Sequence, residues 1–242
     1  MIDFYYAPTP NGWKVAIMLE ECGLDYQTRL MRLAEGEQFS PAFLALSPNG
    51  RMPAILDHAP PSEWGPEPVS VFESAVILLY LAEKTGRFAP PESDRRARKT
   101  LHEWLFWQVG TQGPMGGQLS HFRNYAPEDA KDYGFQRYLG EYDRALAVLD
   151  RRLDGRDWIL DDYSIADMLA FPWAFIAKPL GASLDAFPNV AAWRGRMKER
   201  PAVRRAIDLY KDDQNRGRHR ADNNSVLFNQ SAASFGAPGK AD

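Results

Sequence analysis

The stretch APTPNGWKV, residues 7–15, decides how the N-terminal part of the chain folds. It follows the apolar run IDFYY and precedes WKVAIMLEECG, whose apolar residues recur at helical spacing. We therefore expect a short buried strand over residues 3–7, a turn, and a helix from about Asn11 to Cys22 that Gly23 ends. A loop that joins a strand to a helix in this way brings backbone N–H groups and the positive end of the helix dipole to one spot.

The segments that follow predict a small α/β domain over residues 1–87. YQTRLMRL alternates in the manner of a second strand, and the resulting β-α-β unit implies a parallel pair. SPAFLALSPNGR predicts a short helical piece, and MPAILDH and PVSVFES predict two further strands. ESAVILLYLAEKTG predicts a helix closed by Gly86. This element order describes a mixed four-stranded sheet.

The composition changes at RFAPPESDRRAR, which is typical of a linker. Beyond it we expect an all-α domain over residues 93–211. Ser164 followed by Asp167 indicates a capping box before an apolar run. Apolar residues recur at helical spacing over residues 93–123, 133–153, 164–178, 188–199 and 201–211.

Residues 212–242 form a polar tail rich in Gly, Asn and Ser. This composition favours disorder, although the apolar VLF at residues 226–228 could anchor the tail as a packed arm.

The bulk composition excludes several functional classes. The chain has 242 residues and a net charge of −3, so it offers no overall basic field for nucleic acid. Its apolar runs are too short to span a membrane, and MIDFYY lacks the basic region of a signal peptide, so we expect a cytoplasmic protein. A single cysteine excludes an internal disulfide framework, and the histidines lack ligand spacing, so we expect no metal site.

Two small polar residues of the opening stretch are the first candidates for chemistry. Thr9 and Asn11 lie where the helix is expected to begin, and a hydroxyl and a carboxamide there could donate hydrogen bonds to an anion such as a thiolate. The alternative is that both residues only cap the helix, since Asn is a preferred N-cap residue.

Two further motifs suit a peptide-like ligand. If the bond before Pro53 in RMPAI is cis, the backbone of Met52 faces outward and could pair with an extended ligand; the alternative is an ordinary edge-strand proline. In VFES, Ser74 could bind a carboxylate and Glu73 an ammonium, which together suit the α-amino acid end of a ligand. Helix capping is the alternative there.

These segments together resemble the bacterial nu class of glutathione transferases, disulfide-bond oxidoreductases related to the yeast nitrogen-regulator prion protein. APTPNGWKV, SPNGRMPAI, VFESAVILLYLAEKTG, LFWQVGTQGPMGGQLSHFRNYAPE and YSIADMLAFPW carry the resemblance. It covers roughly residues 2–205. It implies an N-terminal thioredoxin-like domain, an all-helical C-terminal glutathione-transferase domain, and a homodimer in which the small domain of one subunit faces the helical domain of the other.

The resemblance also implies roles for individual residues. Thr9 and Asn11 would hydrogen-bond the glutathione sulfur. The remaining contacts would come from Gln38 at the glycyl end, Met52 before a cis-Pro53 at the cysteinyl unit, Glu73 and Ser74 at the γ-glutamyl end, Arg137 toward a second glutathione, and Lys14 and Arg51 as weaker candidates for carboxylate contacts. Each site would then take one or two glutathione molecules, or one glutathione disulfide.

The protein's own phenols and thiol are interpreted as structural. Tyr5 and Tyr6 fit a buried strand, although both lie just upstream of the first loop, in which many glutathione transferases place a thiol-activating residue. Cys22 lies on the apolar face at the C-terminal end of the first helix, where burial and the dipole both raise a thiol pKa. The redox-active sulfurs would therefore belong to glutathione.

The helical domain is expected to form the other wall of the site. Its aromatic residues Trp104, Phe122 and Tyr125 are the candidates, with core packing as the alternative. GPMGG is interpreted as a kink in a long helix beside the cleft.

The sequence thus predicts a glutathione-dependent disulfide reductase. The alternatives are a glutathione lyase or transferase acting on aromatic or electrophilic conjugates, and a regulatory protein that binds glutathione without turnover.

Overall fold

A computed structural model describes residues 1–211 and 230–235. The N-terminal domain is built on a sheet with the strand order β2-β1-β3-β4, in which β1 and β2 are parallel and the other pairs are antiparallel. The mixed four-stranded sheet predicted from the sequence is confirmed. Its elements are β1 (Ile2–Tyr6), α1 (Pro10–Cys22), β2 (Tyr26–Leu30), α2 (Pro41–Leu46), β3 (Ala54–Asp57), β4 (Val69–Phe72) and α3 (Ser74–Thr85).

The helical domain follows after a short linker. Its helices are α4 (Arg95–Trp107), α5 (Gly113–Asn124), α6 (Glu128–Arg152), α7 (Ile165–Phe175), α8 (Pro188–Glu199) and α9 (Pro201–Asp208). The helix predicted from residue 133 begins earlier, directly after Pro127, and its acidic first turn suits the positive end of the dipole. None of the helices in the described part of the chain is long and apolar enough to cross a membrane.

The predicted capping box at the start of α7 is confirmed. The Ser164 hydroxyl accepts from the Ala166 N–H at 3.3 Å, and the Asp167 carboxylate accepts from the Ser164 N–H at 3.0 Å. The same carboxylate also accepts from the indole N–H of Trp193 at 2.9 Å. The box therefore fixes the start of α7 and joins it to α8.

The N-terminus of α1 lies unusually close to the end of β1. A Cβ atom at Gly12 would lie 2.3 Å from the carbonyl oxygen of Ala7 and 2.8 Å from the ring of Tyr6. Only glycine fits this approach without displacing the backbone. The path of the loop over residues 7–11 therefore depends on Gly12.

The glycines of GPMGG make room for an aromatic ring from α7. A Cβ atom at Gly116 would lie 2.6 Å from Cε3 of Trp173, and the Tyr142 hydroxyl donates to the Trp173 carbonyl at 2.6 Å. The irregularity in the long helix lies one turn earlier than the glycines, as a π-helical segment at Gln108–Gln112 between α4 and α5. Gly116 is thus the glycine of this motif that Trp173 requires.

Part of the polar tail packs on the N-terminal domain. The Phe235 ring, in a 3-10 turn at Ala232–Phe235, lies edge-on to Phe39 with a centroid distance of 5.4 Å. The VLF segment at residues 226–228, which the sequence offers as an anchor, lies outside the described residues.

The packing of Trp173 predicts opposite effects for two glycine-to-alanine changes. Gly116→Ala should lower the free energy of unfolding by about 1–3 kcal/mol, because the new methyl group overlaps a rigid indole ring. Gly140→Ala is the matched control, since no atom lies within 4 Å of its Cβ position, and it should stabilise by about 0.5–1 kcal/mol. Urea denaturation measures both, and a stabilising Gly116→Ala would show that Trp173 does not depend on this glycine.

Candidate active site

Thr9 both caps α1 and keeps a hydrogen-bond donor. Its backbone is extended, with φ −125° and ψ 162°, and its Oγ1 accepts from the Gly12 N–H at 3.3 Å. A hydroxyl oxygen that accepts a bond still has its own hydrogen to donate. Thr9 therefore caps α1, as the sequence suggested. Because the cap uses only the oxygen of the hydroxyl, its hydrogen remains available to a ligand.

Asn11 lies inside the helix and is oriented by the other domain. It is the second residue of α1 and does not cap it. Its Oδ1 accepts from the indole N–H of Trp173 at 3.1 Å. Because an indole nitrogen only donates, the carboxamide oxygen must face Trp173, and the NH₂ group faces elsewhere. That NH₂ group has no hydrogen-bond acceptor within residues 1–211 and 230–235.

The helix terminus supplies fewer backbone donors than the sequence suggests. Pro10 has no N–H, and the Gly12 N–H is taken by Thr9. The Asn11 N–H has no acceptor among the residues that the structure describes. No acidic residue lies in the first turn of α1, so its positive end is not neutralised.

Tyr6 is committed to the core. Its ring is fully buried and its hydroxyl donates to the Leu209 carbonyl at 3.1 Å. Burial raises the pKa of this phenol. Its one hydroxyl hydrogen is already donated to Leu209, so it is not left to donate to the sulfur of a ligand. The interpretation of Tyr6 as a strand residue is confirmed, since it ends β1. Tyr5 is also in β1, and its ring packs on Phe43 with a centroid distance of 5.6 Å.

Cys22 lies partly buried at the end of α1, where its thiol faces neutral groups and the Arg87 guanidinium donates to its backbone carbonyl at 3.4 Å. Its Sγ lies 3.9 Å from the Met18 sulfur and 3.6 Å from the Thr85 hydroxyl. Burial raises the pKa of the thiol. The sequence-based interpretation of Cys22 as a packing residue rather than a reactive thiolate agrees with this environment.

The two ligand motifs of the N-terminal domain have unusual backbone geometry. The Met52–Pro53 bond is cis, and Glu73 has a positive φ of 67°. A residue other than glycine in that region costs of order 1–3 kcal/mol, and such strain is concentrated at functional sites. Glu73 is the N-cap residue of α3 but makes no side-chain cap bond, and Ser74 is the first residue of the helix. The alternative that these side chains serve only as helix caps is therefore wrong.

Lys14 joins the starts of α1 and α3 to the helical domain. It is only 2% exposed, and its Nζ donates to Gln108 Oε1 at 2.8 Å and to Ser74 Oγ at 3.4 Å. Burial lowers the pKa of Lys14 to about 7, although the nearby Glu73 carboxylate acts in the opposite direction. This contact brings Ser74 close to the helix that carries Asn11.

Gln38 presents an unused acceptor. Its NH₂ group donates to the Leu33 carbonyl at 3.2 Å, and its buried Oε1 has no partner among the described residues. Arg51 has an exposed side chain, and its backbone oxygen accepts from the Ser47 hydroxyl at 2.9 Å.

The remaining predicted residues make their contacts within the helical domain. Arg137 lies exposed on α6 in an ion pair with Glu141 at 2.7 Å. The three predicted wall residues each pack on another aromatic ring of that domain, which supports the core-packing alternative. The ring pairs are Trp104 with Trp107 at 5.0 Å, Phe122 with Tyr138 at 5.4 Å, and Tyr125 with His121 at 6.4 Å.

Sequence reasoning missed Trp173 and Gln108. Both belong to the helical domain and reach Asn11 and Lys14 across the domain contact. The tryptophan at the end of YSIADMLAFPW and the glycines of GPMGG were the available signals, but no local rule pairs them. No cluster of His, Cys, Asp and Glu able to hold a metal ion lies within the described residues.

Comparison with known proteins identifies the family. Residues 9–84 match the model of the glutathione S-transferase N-terminal domain, and residues 121–201 match that of the C-terminal domain. The disulfide-bond oxidoreductase YfcG of Escherichia coli is 47% identical over 208 residues, which are 86% of this chain and 94% of that protein.

Solved structures agree with this match. A glutathione transferase of Burkholderia graminis with two glutathione molecules bound per subunit has a TM-score of 0.80 at 41% identity, over 87% of this chain and 88% of that one. A Pseudomonas putida glutathione transferase with one glutathione disulfide per subunit has a TM-score of 0.78 at 39% identity, over 86% and 91% of the two chains. The chain therefore belongs to the glutathione S-transferase family.

Proposed function

We propose that the protein is a glutathione-dependent disulfide oxidoreductase in which a bound glutathione, and not the protein, provides the redox sulfur. One observation carries the proposal. At the start of α1, the Thr9 hydroxyl hydrogen and the Asn11 NH₂ group are not used in bonds among the described residues, whereas the Tyr6 hydroxyl is bonded inside the core and the Cys22 thiol packs against Met18. The site can thus stabilise a thiolate that it does not itself contain.

The comparisons support a site for two linked tripeptides. The E. coli relative is named a disulfide-bond oxidoreductase, and the Burkholderia and Pseudomonas structures hold two glutathione molecules or one glutathione disulfide per subunit. Glutathione, when bound, supplies the thiolate that attacks the substrate disulfide and releases one substrate thiol; a second glutathione then attacks the resulting mixed disulfide, releases the other substrate thiol and leaves as glutathione disulfide, so that the two glutathione sulfurs give up the two electrons.

The chain's own residues hold the sulfur and the peptide. The Thr9 hydroxyl and the Asn11 amide donate to the thiolate, and their donation lowers the energy of the charged form. The backbone of Met52, before cis-Pro53, pairs with the cysteinyl unit. Glu73 accepts from the γ-glutamyl ammonium, and Ser74 donates to the adjacent carboxylate.

The glycyl end and the second glutathione involve other side chains. The unpaired Oε1 of Gln38 is an acceptor, so it suits the glycyl amide N–H better than the glycyl carboxylate. The exposed guanidinium of Arg51 suits that carboxylate, and Arg137 on α6 is assigned to the second glutathione. Trp104, Phe122 and Tyr125 remain candidates for the substrate side of the cleft.

Thr9 variants test the role of the loop. Thr9→Ala should lower the rate of hydroxyethyl disulfide reduction with glutathione about tenfold, because a hydrogen bond to a charged group is lost. Thr9→Ser keeps both the cap and the donor and should retain most of the rate. Tyr6→Phe should change the rate little, since its hydroxyl is bonded to Leu209. A rate that depends on Tyr6 and not on Thr9 would refute the assignment.

A parallel assay separates the alternative functions. Conjugation of chlorodinitrobenzene that exceeds disulfide reduction would favour a lyase or transferase. Retained glutathione binding without either activity would favour a regulatory binding protein.

The indole of Trp173 should matter through Asn11. Trp173→Phe removes the N–H that fixes the carboxamide, so the disulfide reductase rate should fall about fivefold, as expected for one hydrogen bond. Trp107→Phe is the matched control, because the Trp107 indole N–H is buried without a partner among the described residues. Equal rates in the two variants would mean that the Asn11 orientation does not limit the reaction.

We also propose a homodimer, as the family implies. Large exposed apolar side chains lie on β4 (Phe72, 38% exposed), at the start of α3 (Val76, 49%) and on α4 (Phe106, 72%). Pairing the small domain of one subunit with the helical domain of the other would cover these groups.

A charge placed on α4 tests this arrangement. Phe106→Glu should raise the dimer dissociation constant about tenfold or more in sedimentation equilibrium, because it buries an unpaired carboxylate. Tyr133→Glu, at a more exposed position on α6, is the control and should leave the association unchanged. Equal behaviour of the two variants would argue against α4 as the contact.

A further inference from the structure

Lys14 is a buried cation without a carboxylate partner. Lysine is almost never fully buried unless it is paired, yet this side chain lies in the contact between the two domains at 2% exposure. Its two acceptors, Gln108 Oε1 and Ser74 Oγ, are both neutral. Within residues 1–211 and 230–235 no carboxylate lies at ion-pairing distance from its Nζ, and Glu73 acts on it only from farther away.

The hydrogen bonds around Lys14 point in one direction. An ammonium only donates, so Ser74 Oγ must accept from it, and the Ser74 hydroxyl hydrogen is left to donate to something else. Gln108 accepts the shorter bond, at 2.8 Å, and its own Nε2 is buried without a partner among the described residues. The π-helical segment, through Gln108, thus fixes the Lys14 ammonium next to the Ser74 hydroxyl.

We propose that Lys14 is the positive charge by which the site recognises the α-carboxylate of a γ-glutamyl ligand, and that it acts through the Ser74 hydroxyl. This proposal rests on the proposed function, since it presumes a glutathione-like ligand whose γ-glutamyl end lies at Ser74. The ammonium orients and polarises the hydroxyl, and the incoming carboxylate supplies the negative charge that the folded protein lacks. Lys14 is therefore a positioning residue and does not itself touch the reacting sulfur.

The arrangement makes ligand binding depend on the protonation of Lys14. The groups that face it are Glu73 and Ser74 from the start of α3 and Gln108 from the π-helical segment, and Glu73 is the charged one. Burial lowers the pKa of Lys14 to about 7 in the free protein. A bound carboxylate favours the charged form and raises that pKa again. Binding should therefore take up a proton above neutral pH, and affinity should fall as the pH rises through the pKa of free Lys14.

The burial of Lys14 also makes the stability of the folded protein depend on pH. The pKa of Lys14 is lowered from 10.5 in the unfolded chain to about 7 in the folded one. The unfolded state therefore binds the proton more readily, and the native state loses relative stability as the pH falls between these two values. Replacing Lys14 by an apolar residue of similar length should remove this cost and raise the melting temperature.

Two ligands and two variants test the proposal by calorimetric titration. The ligands are S-methylglutathione, whose thiol cannot ionise, and the analogue with γ-aminobutyryl in place of γ-glutamyl, which lacks only the α-carboxylate. Lys14→Met should weaken the binding of S-methylglutathione about tenfold or more and leave the binding of the analogue nearly unchanged. Ser74→Ala should behave alike, and combining the two changes should cost little more than either alone.

Proton uptake on ligand binding can be measured in the wild-type protein itself. Titrations of the wild-type protein in two buffers of different ionisation enthalpy, above the pKa of Lys14, should reveal a fractional proton taken up with S-methylglutathione and not with the analogue. Lys14→Met should abolish this uptake.

The outcomes distinguish a failure of the Lys14 proposal from a failure of the proposed function. Equal losses for both ligands, with a lower melting temperature, would make Lys14 only a structural bridge between the domains and would overturn this proposal alone. A wild-type protein that binds neither ligand would overturn the proposed function as well.

Discussion

The close approach of α1 to the end of β1 at Gly12 is the constraint on which the rest of the site depends. With no room for a side chain there, the loop must pass directly from the sheet into the helix, and Thr9 becomes the cap. The first two turns of the helix then present Asn11 to Trp173 and Lys14 to Ser74 and Gln108. A single steric condition thus fixes both ends of the proposed ligand site relative to the helical domain.

The site contains polar groups that folding alone leaves unsatisfied. Lys14 is buried without a counter-ion, the Oε1 of Gln38 has no donor among the described residues, and Glu73 adopts a strained backbone conformation. Each of these costs stability in the free protein. All three are themselves among the residues that the resemblance to glutathione transferases assigns to a peptide ligand. A ligand amide N–H would pair with Gln38, an ammonium would pair with the exposed Glu73 carboxylate, and a carboxylate would supply the negative charge that Lys14 lacks; a γ-glutamyl peptide such as glutathione carries all three groups.

The sequence predicted what is determined locally. The order of strands and helices, the Thr9 cap and the capping box at Ser164 follow from turn formers, apolar spacing and side chains that bond to nearby backbone, and all are confirmed. The contacts that orient the site were not predictable in this way. Trp173 and Gln108 lie about a hundred residues or more from their partners, and only tertiary packing decides which ring the GPMGG glycines admit.

In the proposed function the ligand provides the reactive sulfur and the protein provides hydrogen-bond donors, because the protein's own phenol and thiol near α1 are buried or partly buried. Burial raises the pKa values of both Tyr6 and Cys22, so neither ionises readily near neutral pH. The hydroxyl and carboxamide that remain at the loop do not titrate at all. If glutathione supplies the sulfur as we propose, the fraction of thiolate at the site follows the pKa of the glutathione thiol, which neutral donors would lower. Burial lowers the pKa of Lys14 to about 7, and in our proposal Lys14 acts on the opposite end of the tripeptide. Sulfur chemistry and peptide recognition would therefore respond to pH through different groups, one on the ligand and one on the protein.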